Sequence, residues 1–340
     1  MINSNEFISA LKKVITPFIW AFVIAFFLNY LMIRIEKKFN FKRWVNILIV
    51  YVIFFGLIVL FFTIITPRVV ESVSNLIKEL PNYIDITQKW FTSLPDHLIA
   101  IDKYGLLDKL KDAVENFLLK ASESLTPLLN KTLAQVINIT SGLVDFILGS
   151  IIAAYILQDK EGFSKGFKRL NYAMFPKEKA KKIIDIGEDI KESFSKFLIG
   201  KIIDSTIIGI MCFIGCLILK IRYSLLISLI VGVTNMIPYF GPFVGGVIAV
   251  FITLLYSPIK ALWVTIFIFA LQQFDGLYLG PKILGIQVGL KPFWILTSIM
   301  VGGGFFGIWG MLFAVPAVAV IRNLLKRYVE KQYKLKGLNK

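Results

Sequence analysis

The chain has 340 residues, 56% of them hydrophobic, including 30 Phe, and a net charge of +16 from 38 basic and 22 acidic side chains. A soluble domain of this length and composition would expose far too much apolar surface, which excludes the soluble globular class. The basic residues sit between and after the apolar runs, a pattern of membrane topology rather than of nucleic-acid binding.

The N-terminus, "MINSNEFISALKK", has no cleavage-site pattern before its first apolar run. That run, Val14 to Ile33, has the length of a bilayer span, so it reads as a retained span rather than a signal peptide. A basic loop with Arg34, Lys37, Lys38, Lys42 and Arg43 follows, and a second span covers Val45 to Thr66. From residue 67 to 138 the composition changes to nine acidic against eight basic residues, with apolar positions at helical spacing as in "LLDKLKDAVENFLLK". This region reads as amphipathic helices on or just above the membrane. A third span runs from Ile139 to Leu157. A Lys-rich helical segment covers 158–201, and a fourth span runs from Ile202 to Leu219.

Loop charge sets the orientation. The 34–43 loop, the 158–201 segment and the basic tail 326–340 are placed in the cytoplasm, and residues 67–138 outside. The crossings after residue 201 must then be even in number. Residues 202–325 form the C-terminal core, and residues 1–66 the N-terminal spans. The fold class is an all-α polytopic membrane protein of about five to eight membrane segments.

Two regions of the core fit no ordinary span. The apolar run from Tyr223 to Tyr256 would be about 50 Å long as one straight helix, against a hydrocarbon core of about 30 Å. It is broken by "MIPYFGPFVGG", with Pro238, Gly241 and Pro242. The run from Pro292 to Ile321 has the same excess length and is broken by "GGGFFGIWG", with Gly304 and Gly307. Each is too long for one span and too short for two, so each reads as an interrupted or re-entrant helix near 238–242 and near 302–307. Tight reversals fit "IPYFGP" and "GGGFFG" better than kinks do. "YFGPFVGGVIAV" and "FFGIWGMLFAV" are a short internal echo; transporters built from related halves give such repeats, and chance in a chain rich in Phe, Gly and Val gives them as easily.

Broken helices free backbone N–H and C=O groups that lipid cannot satisfy, so the two breaks are candidates to line a solute or ion pathway. The alternative is close packing through Gly241-x-x-x-Gly245 and Gly303-x-x-x-Gly307. Gly302-x-Gly304-x-x-Gly307 also matches a dinucleotide fingerprint, but membrane spans flank it and no strand precedes it. Ionisable groups at membrane depth are costly and are functional candidates for that reason. Asp275 stands beside Gln272 and Gln273 and could take a proton or bind a cation; the alternative is an interfacial carboxylate bonded to nearby backbone. Asp204, one turn after Lys201, is a second candidate, with a surface ion pair as the alternative, and Asp145 in the third span is a third. Thr234 and Asn235, just before the first break, could bond its open backbone or touch solute. Cys212 and Cys216 share one helix face and read as packed thiols. His97 is the single histidine, which excludes a multi-histidine metal site, and no phosphate-binding loop appears. The residues give no catalytic set, no metal site and no cofactor.

Three stretches carry a resemblance: "FLIGKIIDSTIIGIMCFIG", "VTNMIPYFGPFVGGVIAV" and "QQFDGLYLGPKILGIQVGLKPFWILTSIMVGGGFFGIWGMLFAVPAVAVI". "ELPNYI" and "YILQDKEGF" add to it. Together they resemble the autoinducer-2 exporter family of bacterial membrane proteins over nearly the whole chain. The resemblance implies a multi-pass permease of the inner membrane that exports autoinducer-2 or exchanges sodium or lithium for protons. It also implies homo-oligomers. The chain departs from the family at Leu277, where relatives often have Asn, and at Lys291, where His is common. It also starts too late for a further span that most members place before Val14.

The expectation is therefore a secondary transporter working by alternating access. Its partners are the lipid bilayer and a small polar solute, Na+ or H+, and not nucleic acid. A passive channel and a non-transporting membrane scaffold are the alternatives, separated by whether flux follows an imposed gradient or is absent.

Overall fold

A computed structural model describes residues 4–39, 41–92, 140–284 and 290–336, with isolated helical positions at 116, 120, 123 and 127. Among these residues the regular structure is helical throughout, with no strand. Most of the expected outer region 67–138, including His97, lies outside the described residues. The chain divides into two compact units, residues 1–67 with 131–188, and residues 68–130 with 189–340.

The first unit is built on α1 (Ser4–Lys38), α2 (Arg43–Leu60) and α4 (Thr140–Gln158), followed by α5 (Lys160–Met174). Helix α1 contributes Ala21, Ile24, Ala25, Leu28 and Met32 to the core, the three- and four-residue spacing of one helix face. Ile47 and Val50 of α2 and Ala153 and Leu157 of α4 complete it. Arg43 holds the C-terminal end of α4: its Nε donates to the Leu157 carbonyl at 2.9 Å, and the guanidinium also pairs with Glu161. A cation there satisfies carbonyls that the helix itself leaves unpaired. The opposite face of α2 is exposed: Leu48, Val52, Leu57 and Val59 all face outward. An apolar helix face bare of protein contacts needs lipid against it.

Five helices among the described residues are long and apolar enough to cross a membrane: Val14–Lys38, Arg43–Glu79, Lys177–Ile218, Pro258–Ile283 and Pro292–Leu335. Two of these differ from expectation in extent. The second does not stop near Thr66; α2 continues through a π-helical turn, Phe61–Ile65, into α3 (Thr66–Thr92). The third, Lys177–Ile218, does not begin at Ile202, because α6 (Lys177–Ile218) runs unbroken for 42 residues across the expected boundary. Composition marks where a helix leaves the membrane. It does not end the helix, because the backbone hydrogen bonds continue in water as well as in lipid.

The second unit contains the C-terminal part of α6, then α7 (Ser224–Thr234), α8 (Phe240–Tyr256), α9 (Pro258–Phe274), a π-helical turn Asp275–Leu279, α10 (Gly280–Leu284) and α11 (Pro292–Leu335). Helices α7 and α8 form an antiparallel hairpin. Gly241 packs against Thr234 and Gly245 against Val231 as the chain returns. At the feet of the hairpin the Tyr223 and Tyr256 rings are 6.1 Å apart, and the Tyr256 hydroxyl accepts the Arg222 N–H at 3.2 Å. The reversal occupies residues 235–239, where Tyr239 has φ 64°. It is therefore earlier than the expected 238–242. Gly241 and Pro242 already belong to the first turn of α8, where proline removes no helix bond.

The second interrupted region is also a reversal. On a straight helix, eight residues would separate Gly302 from Gly310 by about 12 Å, yet a Cβ at Gly302 would lie 2.6 Å from the Gly310 carbonyl oxygen. The chain turns at Gly307, with φ 60° and ψ −143°, values that suit glycine. Residues 302–306, expected to be non-helical, are helical; Gly302 and Gly303 make room for Gly310 and Met311 of the returning arm. Arg327 on that arm forms a two-point ion pair with Asp189 of α6, at 2.6 and 2.8 Å.

A Cβ at Gly241 would lie 1.7 Å from the Thr234 carbonyl oxygen, whereas one at Gly304 meets nothing within 4 Å. Gly241→Ala is expected to lower stability by about 1–3 kcal/mol through overpacking, and Gly304→Ala to be neutral or better. Thermal unfolding of the two variants in detergent checks this, with equal melting temperatures as the contrary result.

Candidate functional site

Asp204 of α6 and Asn235, the first residue of the α7–α8 reversal, are both 0% exposed. The Asn235 Nδ2 donates to Asp204 Oδ2 at 3.2 Å, and Lys201, one helical turn before Asp204 and 5% exposed, donates to the same oxygen at 2.7 Å. One carboxylate thus ties the tip of the hairpin to α6. The ion pair expected at the surface is buried. Asp204 lies fourteen residues before the end of α6, about 21 Å along the axis. Close packing brings α7 near enough: a Cβ at Gly232 would sit 3.1 Å from the Gly209 Cα.

Asp275, 7% exposed at the junction of α9 and the π-helical turn, faces the same cluster, with Asp204, Lys201 and Asn235 as its electrostatic neighbours. Its carboxyl comes within hydrogen-bonding contact of Asp204. Two ionised carboxylates offer only acceptors, so that contact becomes a hydrogen bond only when one of them carries a proton. Correspondingly, Asp204 Oδ1, Asn235 Oδ1 and Asp275 Oδ1 are buried without a hydrogen-bond partner. Ser205 Oγ, on the residue after Asp204, and Gln272 Nε2, three residues before Asp275, are also buried without a partner.

The charge count follows. Two carboxylates and one ammonium leave a net negative charge in a closed site, and an uncompensated buried charge costs several kcal/mol. A proton or a monovalent cation would neutralise it, and the three unpartnered oxygens are acceptors for either. Among the described residues no three His, Cys, Asp or Glu side chains converge as a metal site would require.

The other expected site residues fall elsewhere. Thr234 returns its hydroxyl to the Ile230 carbonyl at 2.8 Å and packs on Gly245, so it supports the hairpin. Pro238 is in the reversal, Pro242 in the first turn of α8, and Gln273 is exposed beside the half-buried Gln272. Gly304 and Gly307 belong to the second reversal and are exposed. Asp145 lies half-buried on α4, in the other unit from Asp204 and Asp275. Cys212 and Cys216 are buried free thiols. Lys201 joins the cluster beyond expectation; its signal was a Lys-x-x-Asp pair beside a long apolar run.

A buried titratable cluster at a chain reversal, in a helical protein with five candidate spans, is the setting of a membrane permease. A profile described as AI-2E family transporter matches residues 4–330. The chain belongs to the AI-2E transporter family. Among its relatives, YueF of Bacillus subtilis, named as a transport protein, is 29% identical over 94% of this chain and 85% of its own length. YrrI of the same organism, also named as a transport protein, is 26% identical over 96% and 89%. PerM of Escherichia coli, named as a permease, is 24% identical over 94% and 88%. The chain is thus a multi-pass membrane protein of a bacterial permease family.

Removing one partner of a buried ion pair strands the other charge. Lys201→Met is expected to destabilise the AI-2E transporter by about 3–5 kcal/mol, and Lys201→Met with Asp204→Asn to recover most of the loss. Thermal unfolding of both variants measures it. A single variant as stable as the parent would show that Asp204 is already neutral without Lys201.

Proposed function

We propose that the protein is a secondary transporter of the bacterial inner membrane. It exports a small polar solute such as autoinducer-2, or exchanges a monovalent cation for protons, by alternating access. The observation that carries this reading is the buried Asp204–Asn235–Asp275 cluster with its unpartnered acceptors. A carrier must bind its coupling ion in a closed site and release it on either side. A cluster one positive charge short, joined to a hairpin tip by a single amide, has the chemistry for that. Loading would neutralise the site and let Asp204 hold Asn235; unloading would leave two carboxylates repelling each other and favour release of the tip. In this reading both reversals lie within the membrane, and Gly304, Gly307 and Pro238 border the solute pathway. The copies assemble as a homo-oligomer.

The test is flux in proteoliposomes under imposed proton and sodium gradients. Asp275→Asn keeps size and hydrogen bonding but cannot titrate, so it is expected to insert normally and to lose gradient-driven transport by tenfold or more, an energy of about 1.4 kcal/mol. Unchanged flux removes Asp275 from the mechanism. Flux that only equilibrates the solute, in parent and variant alike, identifies a passive channel instead.

Topology has a separate check. A Cys at Lys103 should react with an impermeant reagent on intact cells, and one at Lys179 should not. The reverse pattern would invert the orientation read from loop charge.

A further inference from the structure

Helix α5 is too polar to span a membrane, yet it carries an apolar stripe that nothing in its own unit covers. Phe163, Phe167, Leu170 and Met174 are 62%, 54%, 57% and 65% exposed. Their spacing of four, three and four residues puts all four on one narrow face. The only buried residue of α5 is Asn171, whose amide is turned back to the Phe167 carbonyl at 2.8 Å.

The other faces are basic. Lys160, Lys165, Lys168 and Arg169 stand against one acid, Glu161, and that acid is held by Arg43. Lys168 is shared with Glu188 at 3.0 Å. The chain then continues into the exposed Lys177, Lys179, Lys181 and Lys182 at the start of α6. A basic helix with a bare stripe of large apolar side chains is the pattern of a helix lying in a membrane interface.

Position in the chain decides the occupant. Helix α5 begins two residues after the end of α4, an apolar helix of the membrane unit. The Asp159 carbonyl accepts the Phe163 N–H at 3.0 Å, so the first turn of α5 starts at the membrane exit. Asp159 itself, with φ −120° and ψ 35°, breaks the helix and lets α5 leave the direction of α4. A helix fastened there is held at headgroup depth, and its basic faces complement the anionic headgroups of the leaflet where loop charge places it.

We propose that α5 is an in-plane anchor. Its Phe163–Met174 stripe enters the acyl boundary, while Lys165 and Arg169 bind anionic phospholipid headgroups. This stands apart from the transport reading and survives its failure.

The experiment uses the full chain with Cys212→Ala and Cys216→Ala. A single cysteine at Phe167 or at Lys165 carries a spin label. The protein is reconstituted in phosphatidylcholine vesicles with or without phosphatidylglycerol. In the anionic vesicles the label at 167 should be open to oxygen and shielded from a water-soluble nickel chelate, and the label at 165 the reverse. In pure phosphatidylcholine the contrast should weaken. With the label kept at 167, Lys165→Gln or Arg169→Gln should each shift the ratio of inserted to free helix by about fivefold in anionic vesicles. Three results overturn the proposal. One is equal nickel access at both positions in anionic vesicles. Another is a 167 label shielded from oxygen and nickel alike, which means protein, such as a second copy, covers the stripe. The third is an insertion contrast unchanged by phosphatidylglycerol, which removes the anionic-lipid preference.

Discussion

The second unit depends on one buried carboxylate. Asp204 accepts Lys201 from its own helix and Asn235 from the tip of the α7–α8 hairpin, and it meets Asp275 from the end of α9. Three segments distant in sequence converge on a group with no exposure to solvent. A buried charge left without a partner is costly, and Lys201 and Asn235 both serve Asp204. Lys201 balances one carboxylate and leaves the other. That imbalance separates this cluster from an ordinary structural ion pair.

A second constraint shapes the backbone around it. A chain that reverses on itself packs its returning arm closely against the outgoing one. The hairpins meet this with small residues. Thr234 and Gly241 touch across the first, and Gly302 and Gly310 across the second. Gly307 takes the left-handed conformation at the second turn, while Tyr239 takes it at the first at a steric cost that the surrounding packing must offset. Bidentate pairs brace the ends: Arg222 with Glu79 of α3, and Arg327 with Asp189 of α6. These pairs are partly or wholly exposed, so each contributes little alone, and their geometry matters more than their energy.

The first unit follows a different logic. Its core is a row of small and branched side chains, Ala21, Ala25 and Ala153 among Ile24, Leu28 and Leu157, which lets α1 and α4 approach closely. Trp20 leaves room only for a glycine at position 149, where a Cβ would come within 2.6 Å of its Cβ. Polar contacts gather at one end, where Arg43, Lys160, Glu36 and Glu161 form a cluster beside the α4 terminus. The outward face of α2, with Leu48, Val52, Leu57 and Val59, is left for lipid.

The sequence alone determined the class. Hydropathy and length specify membrane helices, because a bilayer of fixed thickness accepts only runs of matching length. The two runs of excess length, broken by Pro and Gly, announced reversals for the same reason. Asp275, Asp204 and Asn235 were legible as candidates because ionisable and amide groups are rare in such runs. The tertiary structure decided which of them meet. Asp204 and Asn235 are thirty-one residues apart, and no periodicity says that a hairpin tip will touch one particular turn of α6. The same packing turned Gln273 outward. It also carried α6 unbroken through the expected membrane boundary. Composition records which solvent surrounds each residue, whereas contact between distant segments is fixed only when the whole chain packs.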